Sequence, residues 1–234
     1  QIQFSIMKNN VSLFIDTSGR GLHKRGYRPA ANAAPLKETL AAALCSLAHL
    51  RHYHTLYDPM CGSGTIIIEG ALMALNIAPG IQRRFTAETW SQCPPEVWRK
   101  ERTAARENMR HDIEFHAYGS DIDEAALEIA RENAKRAGVE NYVTFKKADV
   151  RDFKPVTEKA TVICNPPYGE RLLDAESAHE IYKILGKRFT PQKGRSYEII
   201  TADEEFEKMF GRKADKRRKL YNGMIKCQVY MYFK

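Results

Sequence analysis

Alternation between two kinds of apolar pattern is the feature that most limits how this chain can fold. Short apolar runs recur between residues 54 and 201, and longer stretches with apolar residues three and four positions apart follow most of them. The short runs predict strands and the longer stretches predict helices. The predicted strands are 54–58, 115–121, 142–148, 160–164 and 196–201, and the predicted helices are 65–75, 124–137, 178–189 and 203–210. Such an order predicts a doubly wound α/β fold with a mostly parallel sheet.

The two ends of the chain carry a different signal, because each predicts a β-hairpin. The paired runs are 2–6 and 11–15 around Lys8-Asn9-Asn10, and 217–221 and 224–233 around Asn222-Gly223. Asn-Gly between two such runs is the strongest short hairpin signal. A further helix is predicted over 35–50, where Pro35 suits a first helical turn. A parallel sheet closed by an antiparallel last strand is similar to the seven-stranded, Rossmann-like architecture of class I methyltransferases, although a fold alone does not settle function.

Residues 77–114 do not follow the alternation and predict a largely helical insertion. They contain Trp90, Trp98 and a basic cluster made of Arg99, Lys100, Arg102, Arg106 and Arg110. This cluster, the basic loop over residues 20–28 and the run over 213–219 could contact RNA phosphates. The rings of Tyr27, Trp90 and Trp98 could stack on unpaired bases. Each segment is equally consistent with a solvated basic face and with aromatic rings in the core.

Composition limits the class of protein. The chain has 234 residues, 43% hydrophobic and 28% charged, which suits one well-buried domain and excludes a disordered chain. No run approaches the ~20 apolar residues of a membrane span. The net charge of +8 fits a polyanionic partner. Five scattered cysteines without a CxxC pair argue against a zinc site and disulfides, and for a reducing cytosol. Because the chain starts at Gln1 rather than at Met, we expect a cut fragment that has lost a front domain.

The run DPMCGSGT, residues 58–65, follows a predicted strand and opens a predicted helix. Its two glycines allow a tight turn and the close approach of a ligand, and the helix N-terminus favours negative charge. A dinucleotide fingerprint would need a glycine where Ile67 stands, and a P-loop would need Gly-Lys-Ser/Thr where Gly64 is followed by Thr65. Asp58 would repel phosphate and attract a cation, which suits a cofactor with an amino group and a sulfonium. The alternative is a plain strand–helix turn.

Two further carboxylates follow predicted strands. Asp121, in GSDID, could accept two hydrogen bonds from ribose hydroxyls. Asp149 could accept a hydrogen bond from an adenine amino group. Asp123 has the position of a helix N-cap, with Glu124 in the first turn. The alternatives are a solvated strand end for Asp121 and the cap of a short loop for Asp149.

The run CNPPYG, residues 164–169, comes directly after the predicted strand ATVIC. Its prolines remove two backbone donors, so the loop presents carbonyl oxygens. The Asn165 side chain and the Pro166 carbonyl could together accept both hydrogens of a planar exocyclic amine and localise its lone pair for attack on a methyl group. Tyr168 offers a ring face for an extruded base. The alternative is an ordinary Asn-Pro turn.

These motifs carry a resemblance to a known family. DPMCGSGT followed about 100 residues later by CNPPYG resembles S-adenosylmethionine-dependent amino-methyltransferases. GLHKRGYR, residues 21–28, followed by APLKETLAAAL, residues 34–44, resembles the THUMP-associated RNA methyltransferases, and among them the bacterial guanine-N2 methyltransferases of large-subunit ribosomal RNA. Members are often labelled N6-adenine-specific DNA methylases because of the Asn-Pro-Pro-Tyr loop. The resemblance implies a cytoplasmic class I methyltransferase that uses S-adenosylmethionine and acts on RNA.

The resemblance also implies roles for individual residues. The implied cofactor-binding residues are Asp58, Pro59, Cys61, Gly62, Gly64, Thr65, Asp121, Ile122, Asp149, Val150 and Asn165. The implied catalytic residues, which would hold the target base, are Asn165, Pro166, Pro167 and Tyr168. The implied RNA-binding residues are Arg20, His23, Lys24, Arg25 and Arg28. No metal and no membrane are implied.

The sequence departs from the family at two points. The THUMP module is absent, and residues 1–16 could be its last strands or the linker after it. Asp121 lies 63 residues after Asp58, well beyond the ~20 expected between a Gly-rich turn and its ribose acid in a dinucleotide unit, and the insertion accounts for the excess. We therefore expect a hairpin with a basic loop over 1–28 and a methyltransferase domain over 29–234.

Rival functions remain open at this point. The same Asn-Pro-Pro-Tyr chemistry serves adenine N6 in DNA and a glutamine amide in a protein, and a non-catalytic RNA-binding module with a vestigial pocket is a rival of another class. A thiolate mechanism is not expected, because neither Cys61 nor Cys164 has an adjacent His or Lys. The motifs favour methyl transfer to guanine N2 in large-subunit ribosomal RNA.

Overall fold

The computed structural model describes residues 1–28, 36–168 and 175–233 of the chain. The strands are β1 (Ile2–Met7), β2 (Asn10–Ile15), β3 (Thr55–Asp58), β4 (Ala117–Asp121), β5 (Val143–Lys147), β6 (Ala160–Cys164), β7 (Arg195–Thr201), β8 (Lys216–Asn222) and β9 (Ile225–Tyr232). The helices are α1 (Glu38–Leu47), α2 (Thr65–Ala74), α3 (Pro95–Glu107), α4 (Glu124–Ala137), α5 (Ala175–Arg188) and α6 (Phe206–Phe210). Pro35, at the start of a predicted helix, and Gly169, in the Asn-Pro-Pro-Tyr loop, lie outside the described residues.

Seven strands form one sheet in the order β5-β4-β3-β6-β7-β9-β8. The first five in this order are parallel, β9 runs antiparallel to β7, and β8 runs antiparallel to β9. The predicted mostly parallel sheet with an antiparallel last strand is thereby confirmed. The chain builds outward from β3 to β5 and then returns to β6 on the other side of β3. Ligands of such sheets bind at this switch point, beyond the carboxyl ends of the strands.

Two hydrophobic clusters cover the two faces of the sheet, as the doubly wound prediction requires. One cluster contains Leu44 of α1, Ile67 of α2 and Leu127 of α4. The other contains Tyr182 of α5 and Phe206 of α6, with aromatic neighbours from β7 and β9. Both clusters are built on side chains that are almost completely buried, each worth about 1.5–3 kcal/mol relative to exposure. The sheet and its strand ends are therefore rigidly supported.

Both terminal hairpins form, with different turns. Lys8 and Asn9 link β1 to β2 with φ angles of 47° and 63°, and positive φ at both central residues is the pattern of a type I′ turn. The β8–β9 turn lies one residue later than predicted, because Asn222 pairs with Ile225 as the last residue of β8. Gly223, with φ 65°, then occupies the first loop position, which demands a positive φ.

The first hairpin is a separate two-stranded sheet. Its register places six large apolar side chains on one face, and each of them is exposed: Ile2, Phe4, Ile6, Val11, Leu13 and Ile15.

The insertion between α2 and β4 contains one long helix, α3, and a short 3-10 turn over Thr86–Thr89, joined by irregular segments. Arg83 is buried there and donates to the backbone carbonyl oxygens of Ser18, Arg20 and Gly21. The insertion therefore holds the basic loop in place through Arg83. Trp98 stacks on Phe85, with ring centroids 5.5 Å apart, so its ring has a partner within the insertion.

Candidate active site

The loops after β3 and β4 are joined at the carboxyl edge of the sheet. The Gly62 amide donates to Asp121 Oδ2 at 2.9 Å, and the Cys61 amide donates to the Ser120 carbonyl oxygen at 2.9 Å. The Gly-rich turn and the acid expected to hold ribose, 59 residues apart along the chain, are therefore in direct contact. The loop after β6 starts at Asn165, and β6 is the strand next to β3.

The two glycines of the Gly-rich turn have different tasks. Both are left-handed, with φ 50° at Gly62 and 79° at Gly64. A Cβ on Gly64 would lie 2.8 Å from Phe145 Cζ and 3.0 Å from Ala130 Cβ, so Gly64 allows α2 to pack closely against its neighbours. A Cβ on Gly62 would meet nothing within 4 Å among the described residues. Gly62 therefore borders open space, where a ligand can approach the backbone.

Asp58 is a buried carboxyl at the end of β3, 2% exposed. Its Oδ1 accepts a hydrogen bond from the Met60 amide at 3.1 Å. Burial raises the pKa of Asp58 to about 8, and the nearby Asp121 charge adds to the effect. A cation that entered the site would favour the ionised form and lower this pKa. The carboxyl is therefore suited to a cationic group of a ligand. The neighbouring Pro59 is buried.

The loop after β4 combines a carboxylate with an exposed apolar side chain. Asp121 Oδ1 accepts from the Asp123 amide at 3.1 Å, in addition to the Gly62 contact of Oδ2. A carboxylate has about four acceptor sites, so both oxygens keep capacity for a ligand. Ile122 is 65% exposed beside it. Asp123 caps α4 by accepting from the Ala125 amide at 2.9 Å, which confirms the predicted N-cap.

Asp149 has a structural partner within its own loop. Its Oδ1 accepts from the Arg151 amide at 2.8 Å, and it caps the 3-10 turn Val150–Asp152. The structure thus shows the loop cap that the sequence left open as an alternative. A contact of Asp149 with adenine stays a prediction. Val150 is buried and belongs to the cluster on the α5 side of the sheet.

The Asn-Pro-Pro-Tyr loop contains a buried acceptor, the side-chain oxygen of Asn165. Asn165 Oδ1 is buried and has no hydrogen bond in the part of the chain that the structure describes. Leaving such an oxygen unpaired costs about 1–3 kcal/mol, so native proteins rarely do it without a functional reason. Pro166 is buried and Pro167 is half-buried. Asn165 Oδ1 is therefore an acceptor that the described part of the fold leaves without a donor.

Tyr168 is anchored at its hydroxyl. The hydroxyl accepts from Asn222 Nδ2 at 3.0 Å, and the Cys227 thiol lies at 3.7 Å. Burial raises the pKa of Tyr168 well above its usual value. The last hairpin of the sheet therefore holds the end of this loop in place. Stacking of a base on the ring stays a prediction.

The thiols at the site are not poised as nucleophiles. Cys61 and Cys164 are buried, and burial raises the pKa of both thiols well above the usual value. A thiolate is the reactive form of cysteine. The site is therefore not arranged for attack by sulfur.

The basic loop divides into an outer and an inner group. Arg20 and Lys24 are exposed and His23 is half-buried. The Arg28 side chain is only 6% exposed; its Nη1 donates to Thr65 Oγ1 at 3.0 Å and lies 3.7 Å from Glu38 Oε1. These contacts connect the loop to the first residue of α2, directly after the Gly-rich turn.

Glu69 of α2 binds the rest of the inner group. Arg25 Nη2 lies 3.4 Å from its Oε2, and the Tyr27 hydroxyl donates to its Oε1 at 3.0 Å. Burial raises the pKa of Glu69, and the Arg25 charge opposes that rise. The guanidinium groups of Arg25 and Arg28 thus have partners inside the fold, whereas Arg20 and Lys24 are exposed to solvent and His23 is half-buried.

No group of three or more His, Cys, Asp or Glu side chains within the described ranges is placed to hold a metal ion. None of the helices in those ranges combines the length and the apolar character that crossing a membrane requires.

A family model described as an RMKL-like methyltransferase domain matches residues 25–231. The chain belongs to this family. The match includes the Gly-rich turn, the loops after β4 and β5 and the Asn-Pro-Pro-Tyr loop, whereas Arg20, His23 and Lys24 of the basic loop lie before it.

Individual relatives support the same family. The protein named "Putative RNA methyltransferase YpsC" of Bacillus subtilis (strain 168) is 42% identical over 233 residues, which cover 100% of this chain and 60% of YpsC. "Ribosomal RNA large subunit methyltransferase K/L" of Aliivibrio salmonicida (strain LFI1238) is 41% identical over 222 residues, 92% of this chain and 32% of that protein. A crystal structure described as "SMU.472, a putative methyltransferase complexed with SAH" has a TM-score of 0.92 and 42% identity, over 99% of this chain and 61% of that one. The chain therefore spans less than two thirds of these relatives.

Three residues of this family member's site have no signal in the sequence. Asn133 of α4 is buried and donates to the Ser63 carbonyl oxygen at 3.1 Å, which supports the Gly-rich turn. Asn222 holds Tyr168, and Glu69 holds Arg25. Each contact joins segments more than 40 residues apart, and no local pattern could have predicted them.

Proposed function

We propose that this chain transfers a methyl group from S-adenosylmethionine to an exocyclic amine of a base in RNA, and that the amine is guanine N2 of large-subunit ribosomal RNA. The observation that carries the proposal is the buried Asn165 Oδ1, which has no partner among the described residues and lies at the switch point of the sheet. The printed names of the relatives, RNA methyltransferase and ribosomal RNA large subunit methyltransferase, support the substrate class.

The residues on the β3 and β4 loops fit the cofactor. Asp58 would bind the ammonium of the methionine part, because it is a buried carboxyl that a cation would stabilise in its ionised form. Asp121 would accept hydrogen bonds from the ribose hydroxyls, and exposed Ile122 would pack on the adenine. SAH, with which SMU.472 was crystallised, is what S-adenosylmethionine becomes after it gives up its methyl group. The bound cofactor would supply an electrophilic methyl group on a sulfonium.

Asn165 and Pro166 would prepare the amine. The lone pair of such an amine is delocalised into the ring, and two fixed acceptors for its hydrogens localise it on nitrogen. The nitrogen then forms a bond to the methyl carbon while the carbon–sulfur bond breaks, and the electron pair of that bond stays on sulfur. The proton that the new nitrogen centre must lose goes to water. No strong base is required, because positioning and electrostatics lower the barrier.

The RNA would approach the loop that precedes α1. Arg20 and Lys24 are exposed there, and Arg28 connects this loop to the residue after the Gly-rich turn. Phosphate contacts of this kind position the RNA without reading its sequence. The anchored Tyr168 would offer its ring to the extruded base.

The test combines product analysis with one variant. The purified chain is incubated with S-adenosylmethionine and ribosomal RNA from a strain that lacks the enzyme, and methylated nucleosides are measured by mass spectrometry. We expect N2-methylguanosine with the wild type and none with Asn165→Ala, whereas cofactor affinity measured by calorimetry stays within about twofold. Asn141→Ala, an exposed position in the turn after α4, is the matched control and should keep full activity.

Each rival has its own outcome. N6-methyladenosine as the product would show that the target base is adenine rather than guanine. A methylated glutamine in an added protein substrate would show that the substrate is a protein rather than RNA. Absence of S-adenosylmethionine binding at millimolar concentration would favour a non-catalytic RNA-binding module. Unchanged turnover of Asn165→Ala would remove Asn165 from the mechanism.

A further inference from the structure

The last hairpin of the sheet projects beyond the edge at which the candidate active site lies. Thr201, the last residue of β7, pairs with Gln228, so the start of β9 and the end of β8 opposite it extend past the carboxyl end of β7. Asn222 at the end of β8 donates to the Tyr168 hydroxyl at 3.0 Å. The tip of the hairpin is therefore attached to the Asn-Pro-Pro-Tyr loop.

One face of this tip combines an exposed aromatic ring with two ammonium groups. Tyr221 is 55% exposed, and Lys219 lies two residues before it on the same face of β8. Lys226 pairs with Tyr221 across the hairpin and therefore shares that face. The Lys219 ammonium lies 5.3 Å from the centre of the Tyr221 ring. These three residues form the basic aromatic face of the hairpin.

The contacts that the two ammonium groups make within the fold are weak. Lys226 Nζ lies 3.9 Å from Glu204 Oε1, and both side chains are exposed. Exposed ion pairs and exposed contacts between a cation and a ring contribute little to stability. Arg217, two residues before Lys219, differs because its guanidinium donates to both carboxyl oxygens of Glu207. The ammonium groups of the basic aromatic face are therefore available to a phosphate, whereas the Arg217 guanidinium is held by an acid.

The order of the strands indicates where this face lies relative to a bound RNA. β6, which leads into the Asn-Pro-Pro-Tyr loop, lies between β3 and β7. The basic loop contacts the β3 side, where Arg28 donates to Thr65, and the last hairpin lies on the β7 side. Two positively charged elements therefore flank the loop that would hold the target base. A face that alternates a ring with ammonium groups matches single-stranded RNA, which alternates bases with phosphates.

We propose that the basic aromatic face binds a nucleotide beside the target base in single-stranded RNA. The base of this nucleotide stacks on the exposed side of the Tyr221 ring, and its two phosphates contact Lys219 and Lys226. The inference rests on the proposed function, because it takes RNA as the substrate. An acidic peptide would satisfy the ammonium groups but would leave the ring unused, so the ring favours RNA. Stacking and phosphate contacts of this kind add affinity without reading the sequence.

The first test measures binding of the full chain to two fluorescently labelled strands by anisotropy. One is a 12-nucleotide oligouridylate, and the other is an abasic strand of the same length, which keeps the phosphates and lacks the bases. Tyr221→Ala should weaken binding of oligouridylate at least fivefold and change binding of the abasic strand less than twofold, which also shows that the variant is folded. Tyr221→Phe keeps a ring and should bind both strands as the wild type does. Equal effects of Tyr221→Ala on the two strands, or no effect on either, would overturn the proposal.

The second test separates the two lysines from positive charge in general. Lys219→Gln and Lys226→Gln should each weaken binding of both strands, and each should lower the slope of log affinity against log salt by about 0.7. Lys216→Gln is the matched control, because Lys216 is also exposed on β8 but lies on the opposite face, away from the tip. Its salt dependence should equal that of the wild type. Equal changes in Lys216→Gln and Lys219→Gln would overturn the proposal, as would tighter binding of oligoglutamate than of oligouridylate.

The third test connects this face to catalysis. With ribosomal RNA as the substrate, Tyr221→Ala should raise KM for RNA at least fivefold and leave kcat and cofactor affinity within about twofold, because the stacked nucleotide takes no part in the chemistry. A fall in kcat at unchanged KM would overturn the proposal. Binding of oligouridylate requires no methyl transfer. A wild type that binds this strand through Tyr221 but methylates no RNA would therefore contradict the proposed function and leave the basic aromatic face as an RNA-binding surface.

Discussion

Replacing Glu198 by Gln should change how stability depends on pH. Burial alone raises the pKa of this carboxyl from 4.5 to about 8. A group whose pKa is raised on folding stabilises the folded state fully at pH values below the unfolded pKa. That stabilisation is lost as the pH rises through the folded pKa. The free energy of unfolding of the wild type should therefore fall between pH 4.5 and pH 8 relative to a variant that cannot ionise.

The size of the effect follows from the two pKa values. At about 1.4 kcal/mol per unit of pKa, the interval from 4.5 to 8 corresponds to about 5 kcal/mol, of which about 3 kcal/mol is lost by pH 7. A titratable group whose charge interacts with that of Glu198 is the Cys45 thiol of α1. This thiol is present in both the wild type and the variant, as is Asp58, whose raised pKa acts in the same direction. The contributions of these groups to the pH dependence largely cancel when the stability of the wild type is subtracted from that of Glu198→Gln.

Urea unfolding at pH 5, 6, 7, 8 and 9 measures that difference. Gln leaves an unpaired amide in place of the acid, which adds an offset that does not depend on pH. The stability of Glu198→Gln minus that of the wild type should rise by several kcal/mol from pH 5 to pH 9. Two curves that run parallel over this range would show that Glu198 is solvated or paired in solution, and the reasoning from burial would fail.

Three further predictions concern the candidate active site. Gly64→Ala should lower the free energy of unfolding in urea by about 3 kcal/mol, because a left-handed backbone and an overlap with Phe145 both penalise a Cβ. Gly62→Ala should lower the free energy of unfolding by only about 1 kcal/mol but should weaken cofactor binding in calorimetry. Equal losses of stability in the two variants would contradict the different roles assigned to these glycines. Arg28→Met should cost about 3–5 kcal/mol in the same unfolding assay, because Glu38 keeps a buried charge without its partner; a loss below 1 kcal/mol would mean that the pair is solvated. Cofactor affinity of the wild type should fall about tenfold per pH unit below pH 8 as Asp58 takes up a proton, whereas Asp58→Asn should bind weakly at every pH, and a flat wild-type profile would contradict the raised pKa.

The order of strands and helices was predictable because it depends on local patterns. Runs such as 160–164 and 124–137 have the right apolar period and the right end signals, and the structure has a strand and a helix with these same bounds. The last hairpin was predicted from Asn-Gly, but its turn lies one residue later. The Asn222 side chain binds Tyr168, 54 residues away, and a contact of this kind is invisible to a local turn rule.

The site was predictable where chemistry sits in a short motif. Gly62 and Asp121 are in contact at the predicted edge, and Asn165 follows β6, the strand beside β3, at the same edge, because strand ends of a parallel sheet come together there. The basic loop was less predictable. A run of positive charges near a site suggests phosphate contacts, but whether each side chain faces outward depends on acids elsewhere in the chain. Glu38 and Glu69 lie on helices that cover this loop, and they take up Arg28 and Arg25.

The acceptors of the site fall into two groups, those with a hydrogen-bond partner within the fold and those without one. Asp121, Asp149 and Tyr168 each accept a hydrogen bond within the fold, and each of these bonds fixes a loop. Asn165 Oδ1 is buried and accepts none in the described ranges. A loop that only needed to turn would gain stability by pairing this oxygen or by replacing the residue. Its persistence without a partner is explained if the missing donor arrives with the substrate, which in our proposal is the amine of a base.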